Sequence, residues 1–142
     1  MKCVKYTFLI GMLFVSLVVS GDCIRNQYGK VICGQGTCLR NNVGRVICAS
    51  TKGGDCALNA YGKVICGPGK CLQNANGKVI CAFSPGGDCA YDQYRKVICG
   101  AGRCIKDRMG HVVCGKKNED CAIDSYGTVV CGGYWTGNRY QD

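Results

Sequence analysis

Cysteine is the residue type with the greatest chemical capacity in this sequence, and its spacing is regular. Fifteen of the 142 residues are cysteine. From Cys23 onward they form seven C-x9-C units: Cys23 and Cys33, Cys38 and Cys48, Cys56 and Cys66, Cys71 and Cys81, Cys89 and Cys99, Cys104 and Cys114, Cys121 and Cys131. The first six units group as C-x9-C-x4-C-x9-C. The groups begin at Cys23, Cys56 and Cys89, 33 residues apart, and Cys121 opens a truncated fourth one residue early. Three chemistries compete for such a pattern. Zinc sites bring their ligands in close pairs such as C-x2-C, and no such pair occurs. Dithiol redox sites want C-x-x-C, which is also absent. Cross-linking of a small scaffold remains, and neither a metal nor a cofactor is expected.

The N-terminal segment points to a compartment where cross-links persist. Lys2 and Lys5 precede an apolar run from Tyr6 to Gly21, with Val19 and Gly21 spaced for cleavage. A basic flank, an apolar stretch of about 14 residues and a small-residue site are the pattern of a secretory signal peptide. The run is shorter than the ~20 residues a membrane span requires, so no transmembrane segment is expected. The mature chain then begins near Asp22 and is secreted. Removal of Cys3 leaves fourteen cysteines, an even number suited to complete pairing. Cysteine becomes about 12% of the mature chain, above the ~8–10% that marks a disulfide scaffold. The formal charge falls from +9 to +7 as Lys2 and Lys5 leave. The remaining Lys and Arg are spread along the chain, a surface suited to hydration or to anionic extracellular partners; nucleic acid is not an expected partner of a secreted chain. No Asn-x-Ser/Thr acceptor is present.

The elements that hold the cysteines are legible in the residues between them. Numbering each C-x9-C unit from 1 to 11, position 4 is always Asn or Asp: Asn26, Asn41, Asn59, Asn74, Asp92, Asp107 and Asp124. Position 7 is Gly in six units, and Arg95 is the exception. Position 9 is always Val, and position 10 is Ile or Val. Asn or Asp opens a type I turn and Gly closes it. A type I turn followed by a left-handed Gly is the three-residue hairpin loop with a G1 bulge. The β-branched pair then forms the returning strand. A pair of helices stapled by twin C-x9-C units is disfavoured, because Asn and Gly would sit at the helix centres. In the first unit Arg25 faces Val31, Ile24 faces Ile32 and Cys23 faces Cys33. Strand alternation puts the two isoleucines on one face and the cysteines on the other. The Cys pair falls at a non-hydrogen-bonded site, with Cα atoms about 4.5 Å apart, where a disulfide is feasible. Arg95 predicts either a different turn or a strained left-handed residue, which costs about 1 kcal/mol.

The fold class that follows is small, disulfide-rich and all-β: a tandem array of seven two-stranded hairpins, elongated if each unit touches mainly its neighbours. The expected organisation is a signal peptide over 1–21, repeats over 22–54, 55–87 and 88–119, a half repeat over 120–133 and a tail over 134–142. Apolar pairs such as Leu39 with Ile47 and Leu72 with Ile80 are available to pack between units.

The stretch "CGPGKCLQNANGKVIC", from Cys66 to Cys81, resembles the EGF-like β-hairpin subdomain that opens follistatin-type domains. "CGQGTCLRNNVGRVIC" and "CGAGRCIKDRMGHVVC" resemble it similarly, with a spacer one residue shorter than the usual form. The Kazal-type portion that follows in that family is missing, so protease inhibition is not implied. The resemblance does imply interlocked bridges between adjacent units, Cys23 with Cys38 and Cys33 with Cys48. Spacing alone leaves interlocked and hairpin-closing patterns both open.

Little in the chain suggests catalysis. His111 is the only histidine and sits at position 8, where five of the other six units carry Lys or Arg. It reads as an exposed cross-strand partner of Asp107. No nucleophile–base motif or phosphate loop accompanies it, so an enzyme is not expected. Tyr28, Tyr61, Tyr94 and Tyr126 occupy position 6, the loop tip, in alternate units, whereas Val43, Asn76 and Met109 occupy the others. Beside Lys30, Lys63 and Lys96, such tyrosines could form a repeated contact surface; duplication and local packing are the competing explanation. The tail "GGYWTGNRYQD" adds Tyr134, Trp135 and Tyr140 as a cap or contact segment. Two functional classes are compatible with these features. One is a non-enzymatic extracellular structural or interaction protein that binds a protein, glycan or matrix component. The other is a secreted defence, venom or salivary effector acting through a basic surface; its membrane activity would require an apolar patch larger than these small pairs provide.

Overall fold

The structure is a computed structural model that describes residues 21–133. The expected signal segment up to Ser20, with Cys3, and the tail from Tyr134 to Asp142, with Trp135, lie outside the described residues. Fourteen strands form seven separate antiparallel two-stranded sheets. Hairpin 1 joins β1 (Cys23–Arg25) to β2 (Val31–Cys33), hairpin 2 joins β3 (Cys38–Arg40) to β4 (Val46–Cys48), and hairpin 3 joins β5 (Asp55–Leu58) to β6 (Val64–Gly67). Hairpin 4 joins β7 (Cys71–Gln73) to β8 (Val79–Cys81), and hairpin 5 joins β9 (Asp88–Tyr91) to β10 (Val97–Gly100). Hairpin 6 joins β11 (Cys104–Lys106) to β12 (Val112–Cys114), and hairpin 7 joins β13 (Glu119–Ile123) to β14 (Val129–Gly133). No helix occurs among the described residues, so none is long and apolar enough to cross a membrane.

The register follows the turn chemistry. In hairpin 1, Arg25 pairs with Val31, Ile24 with Ile32 and Cys23 with Cys33, and the other six hairpins repeat this alignment. Each cysteine is bonded to its cross-strand partner. All seven bridges therefore close their own hairpins, and the interlocked pattern of follistatin-type subdomains does not occur. The paired Cα atoms lie 4.0–4.1 Å apart, slightly closer than a typical non-hydrogen-bonded pair.

Each loop is held by the residue at position 4. Asn26 N–H donates to the carbonyl of Lys30 at 2.8 Å, and Gly29 N–H donates back to the carbonyl of Asn26 at 3.1 Å. The Asn26 Oδ1 also accepts the amides of Tyr28 and Lys30, both at 2.9 Å. An apolar residue here would leave those tip amides to solvent, which explains the strict Asn/Asp preference better than turn statistics alone. The six position-7 glycines all have positive φ, from 72° at Gly62 to 88° at Gly110. Arg95 adopts the same conformation, with φ 62°. Hairpin 5 thus uses the same turn and carries its strain.

Consecutive hairpins stack face on disulfide, meeting along their first strands at every step. Leu39 and Ile47 of hairpin 2 pack on Cys56, Val64 and Cys66 of hairpin 3, around the buried linker residue Ala49. Leu72 and Ile80 of hairpin 4 pack likewise on Cys89, Val97, Cys99 and Tyr91 of hairpin 5, around Ala82. Six of the eleven buried apolar residues are cysteines, so the bridges themselves form much of the core. Isolated hairpins are marginal in water. A bridge closing a loop of this size contributes roughly 2–3 kcal/mol in the chain-entropy model, and that contribution recurs in every layer.

The steps share a second regular contact. The first cysteine of each of hairpins 2 to 7 places its Sγ 3.1–3.4 Å from the carbonyl oxygen of the residue preceding the previous hairpin's first cysteine. Cys38 Sγ meets Asp22 O, and Cys56 Sγ meets Thr37 O. A bridged sulfur has no proton, so these are close packing contacts rather than hydrogen bonds. Two aspartates reinforce the base of the stack. Asp55 accepts the amide of Cys56 on Oδ1 at 2.8 Å and that of Cys71, in the next hairpin, on Oδ2 at 3.0 Å. Asp88 does the same for Cys89 and Cys104, at 2.8 and 3.0 Å.

Candidate contact surface at the hairpin tips

Turn-to-turn hydrogen bonds align the tips along one edge of the stack. The amide at position 5 of one hairpin donates to the carbonyl at position 7 of the next. The pairs are Gln27 to Gly44, Asn42 to Gly62, Ala60 to Gly77, Gln93 to Gly110 and Arg108 to Gly127, at 2.9–3.3 Å. Asn42 adds its side-chain amide, which donates to the Tyr61 carbonyl at 3.2 Å. The glycine is needed here for a second reason besides its φ. A Cβ on Gly62 would lie 2.6 Å from Asn42 Cβ, and one on Gly110 would lie 2.5 Å from Gln93 Cβ. Neighbouring turns are too close for a side chain at that site.

Only the step from hairpin 4 to hairpin 5 lacks the bond, because there Arg95 replaces Gly and Ala75 N–H finds no carbonyl. The disulfide end of the same step is intact, with Cys89 Sγ 3.1 Å from Lys70 O. This step therefore lacks the bond at its tips while the contact at its base is kept. The displaced guanidinium sits over the Tyr91 ring, 5.4 Å from its centre, a cation–π distance. Tyr91 in turn donates its hydroxyl to the Gln73 carbonyl of hairpin 4 at 2.7 Å.

The four position-6 tyrosines project from this edge. Their exposures are 83% for Tyr28, 85% for Tyr61, 78% for Tyr94 and 84% for Tyr126. Packing on the hairpins does not account for rings this exposed. Val43 and Met109, at the alternate tips, are exposed as well, so what distinguishes the tyrosines is their recurrence rather than their burial. Two of them border clefts between neighbouring tips. Tyr28, Ile32, Val43, Gly44 and Arg45 line one of about 510 Å³ between hairpins 1 and 2. Tyr94, Ile98, Gly110 and His111 line its counterpart of about 210 Å³ between hairpins 5 and 6. Each cleft combines an aromatic face with a nitrogen base or cation, a combination suited to stacking on a sugar ring or an anionic group.

His111 stands where its spacing predicts. Its Nδ1 lies 3.3 Å from Asp107 Oδ2, and its amide donates to Asp107 Oδ1 at 2.8 Å. Partial desolvation raises the Asp107 pKa, but the amide and ring of His111 and the amide of Met109 outweigh it and hold the carboxyl below its usual value. This pair braces the loop of hairpin 6.

The Asp55 and Asp88 clamps and the Tyr91–Arg95 contact were not anticipated from sequence. The clamps do have a signal, the Gly-Gly-Asp-Cys that opens repeats 2 and 3. Comparison with protein-family models, curated proteins and solved structures yields no match for the chain.

Proposed function

We propose that the chain is a secreted, non-enzymatic structural or interaction protein whose tyrosine tips contact an extracellular protein, glycan or matrix component. The observation that carries this reading is the repeated tip: four exposed tyrosines at one position of alternate hairpins, on a frame cross-linked in every layer. Residues exposed to this degree contribute little to the fold, and rigid presentation lowers the ordering cost of binding. Several weak contacts on one frame add through effective concentration. Secretion is supported by the basic–apolar N-terminal segment and by the cysteine density.

The test replaces Tyr28, Tyr61, Tyr94 and Tyr126 together with Ser. Each exposed change should alter stability by no more than about 0.5 kcal/mol. Retention on an acidic glycan column or on extracellular matrix from the source tissue should fall by more than the sum of the single changes. The control variant, with Val43, Asn76 and Met109 changed to Ser, should be retained normally. Early melting with normal retention would make the tyrosines packing residues and overturn the reading.

A further inference from the structure

The stack has two unlike ends, and they complement each other. At the N-terminal end, hairpin 1 presents its cysteine face, and nothing among the described residues stacks on it. Val31 at position 9 is 54% exposed, whereas its counterparts Val64, Val79 and Val97 are 5%, 8% and 8% exposed. Cys23 is exposed too, while the first cysteine of every later hairpin is buried. At the C-terminal end, hairpin 7 presents the opposite face, with Ala122 and Val130 at positions 2 and 10 and Val130 58% exposed. These are the two surfaces that meet at all six internal steps. From this we infer that copies of the mature chain stack head to tail, hairpin 7 of one on hairpin 1 of the next.

Three internal contacts have unused partners at these ends. The Ser125 amide, at position 5 of hairpin 7, has no acceptor among the described residues, and the Gly29 carbonyl, at position 7 of hairpin 1, has no donor. Open space surrounds the Cα of Gly29, where every later position-7 glycine meets a neighbouring turn. Cys23 Sγ has no carbonyl against it among the described residues, and the Asp120 carbonyl holds the place that Asp22, Thr37 and Asp55 hold below the next hairpin. Position 3 supplies the third contact. Arg40 donates to the Arg25 carbonyl of hairpin 1, and Tyr91 donates to the Gln73 carbonyl of hairpin 4. Arg25 of a second copy is placed to reach the Ile123 carbonyl in the same way.

Charge selects the same pairing. Residues 120–133 carry Asp120 and Asp124 with no Lys or Arg, whereas residues 22–54 carry five basic residues against one acidic one. The acidic end thus attracts the basic end of a second copy, while like ends repel. Because the two surfaces differ, the contact is heterologous and leaves a free site at each end of any oligomer, so growth is open-ended. One hairpin face is a small interface, so association is weak and driven by concentration. The inference rests on removal of the signal segment, which the intact mass of the secreted protein reads independently of any association.

The experiment is sedimentation velocity on the full mature chain at low ionic strength, from about 10 μM to about 1 mM, where weak contacts become populated. The weight-average mass should at least double across that range, without a plateau at the dimer, and should fall back when salt screens the ends. Val31→Asp and Val130→Asp each spoil one exposed end without touching the internal steps, and each variant alone should remain monomeric. Mixed in equal amounts they should form a one-to-one dimer and nothing larger, because one variant retains its C-terminal face and the other its N-terminal face. A monomeric wild type, growth that survives either variant, a closed dimer or a mixture that stays monomeric would overturn the proposal. A monomeric wild type whose Val130 face is shielded from solvent would assign that face to residues 134–142 of the same chain.

Discussion

Ala75 N–H makes no hydrogen bond to the Arg95 carbonyl, although the equivalent bond joins every other neighbouring pair of turns. One residue accounts for the gap. Arg95 holds φ at 62°, and at the equivalent glycines of hairpins 2, 3, 4, 6 and 7 a Cβ would lie only 2.3–2.8 Å from the preceding turn.

Arg95→Gly should therefore stabilise the protein. Relief of the left-handed residue is worth about 1 kcal/mol, and the restored bond from Ala75 roughly another 0.5–1.5 kcal/mol. Loss of the guanidinium from the Tyr91 ring opposes these by about 0.5–1 kcal/mol. The expected net gain is about 1 kcal/mol, measured by denaturant unfolding of the oxidised protein. Slowed hydrogen exchange at the Ala75 amide would show that the turn had closed. A loss of stability would mean that the Tyr91 contact outweighs both gains.

The two roles of the position-7 glycine can be separated. Gly29 and Gly62 have similar φ, 78° and 72°, but a Cβ on Gly29 would meet nothing within 4 Å while one on Gly62 would meet Asn42. Gly29→Ala should cost only the backbone term, about 1–2 kcal/mol. Gly62→Ala should cost that much and a further 1–3 kcal/mol for crowding between turns. Equal losses in thermal or denaturant unfolding would show that the turns separate freely.

That comparison also marks what the sequence could reveal. The hairpins, their register and their turn type follow from Asn/Asp, Gly and Val-Ile at fixed offsets, because these are local rules acting over eleven residues. The bridges did not follow, since hairpin-closing and interlocked pairings are compatible with the same spacing; the direct opposition of Cys23 and Cys33 decides between them. The stacking contacts were less legible still. They join residues 15 to 20 apart through backbone carbonyls, which every residue possesses, so no side-chain pattern announces them. Arg95 was visible as a break in the repeat, yet its effect on hairpin 4 required the neighbouring turn to be in place. The tip tyrosines were legible as a repeated position, and their exposure follows from their place beyond the last strand pair.

Acid should loosen hairpin 6. The Asp107 carboxylate is held below its usual pKa by the His111 and Met109 amides and the His111 ring. A group with a lowered folded-state pKa stabilises the fold above its unfolded value, and that contribution disappears as pH falls through the folded one. Amide exchange at Met109 and His111 should therefore accelerate below the usual carboxylate range, near pH 4. Asp107→Asn keeps the acceptor that Asn26, Asn41, Asn59 and Asn74 provide in other loops and should remove most of the acid sensitivity. Unchanged sensitivity in that variant would place its origin elsewhere.

The base of the stack should depend on its aspartate clamps. Asp55 joins hairpin 3 to hairpin 4 by accepting the amides of Cys56 and Cys71 on separate oxygens, and Cys71 is only 4% exposed. Removing the carboxylate leaves the Cys71 amide without a partner in a site with little water. An unsatisfied buried amide costs about 1–3 kcal/mol, and the Cys56 amide adds a smaller, better-solvated loss. Asp55→Ala should thus lower stability by roughly 2–4 kcal/mol. Asp55→Asn keeps one acceptor oxygen and should lose about half as much. The bridges of hairpins 3 and 4 lie within their own units, so both variants should still oxidise fully and retain their strands by circular dichroism. The damage should appear instead as faster amide exchange at Cys71 and as weaker coupling between hairpins 3 and 4. If Asp55→Ala unfolds at the wild-type denaturant concentration, the Sγ–carbonyl contacts and the stacked apolar pairs hold the step without the clamp.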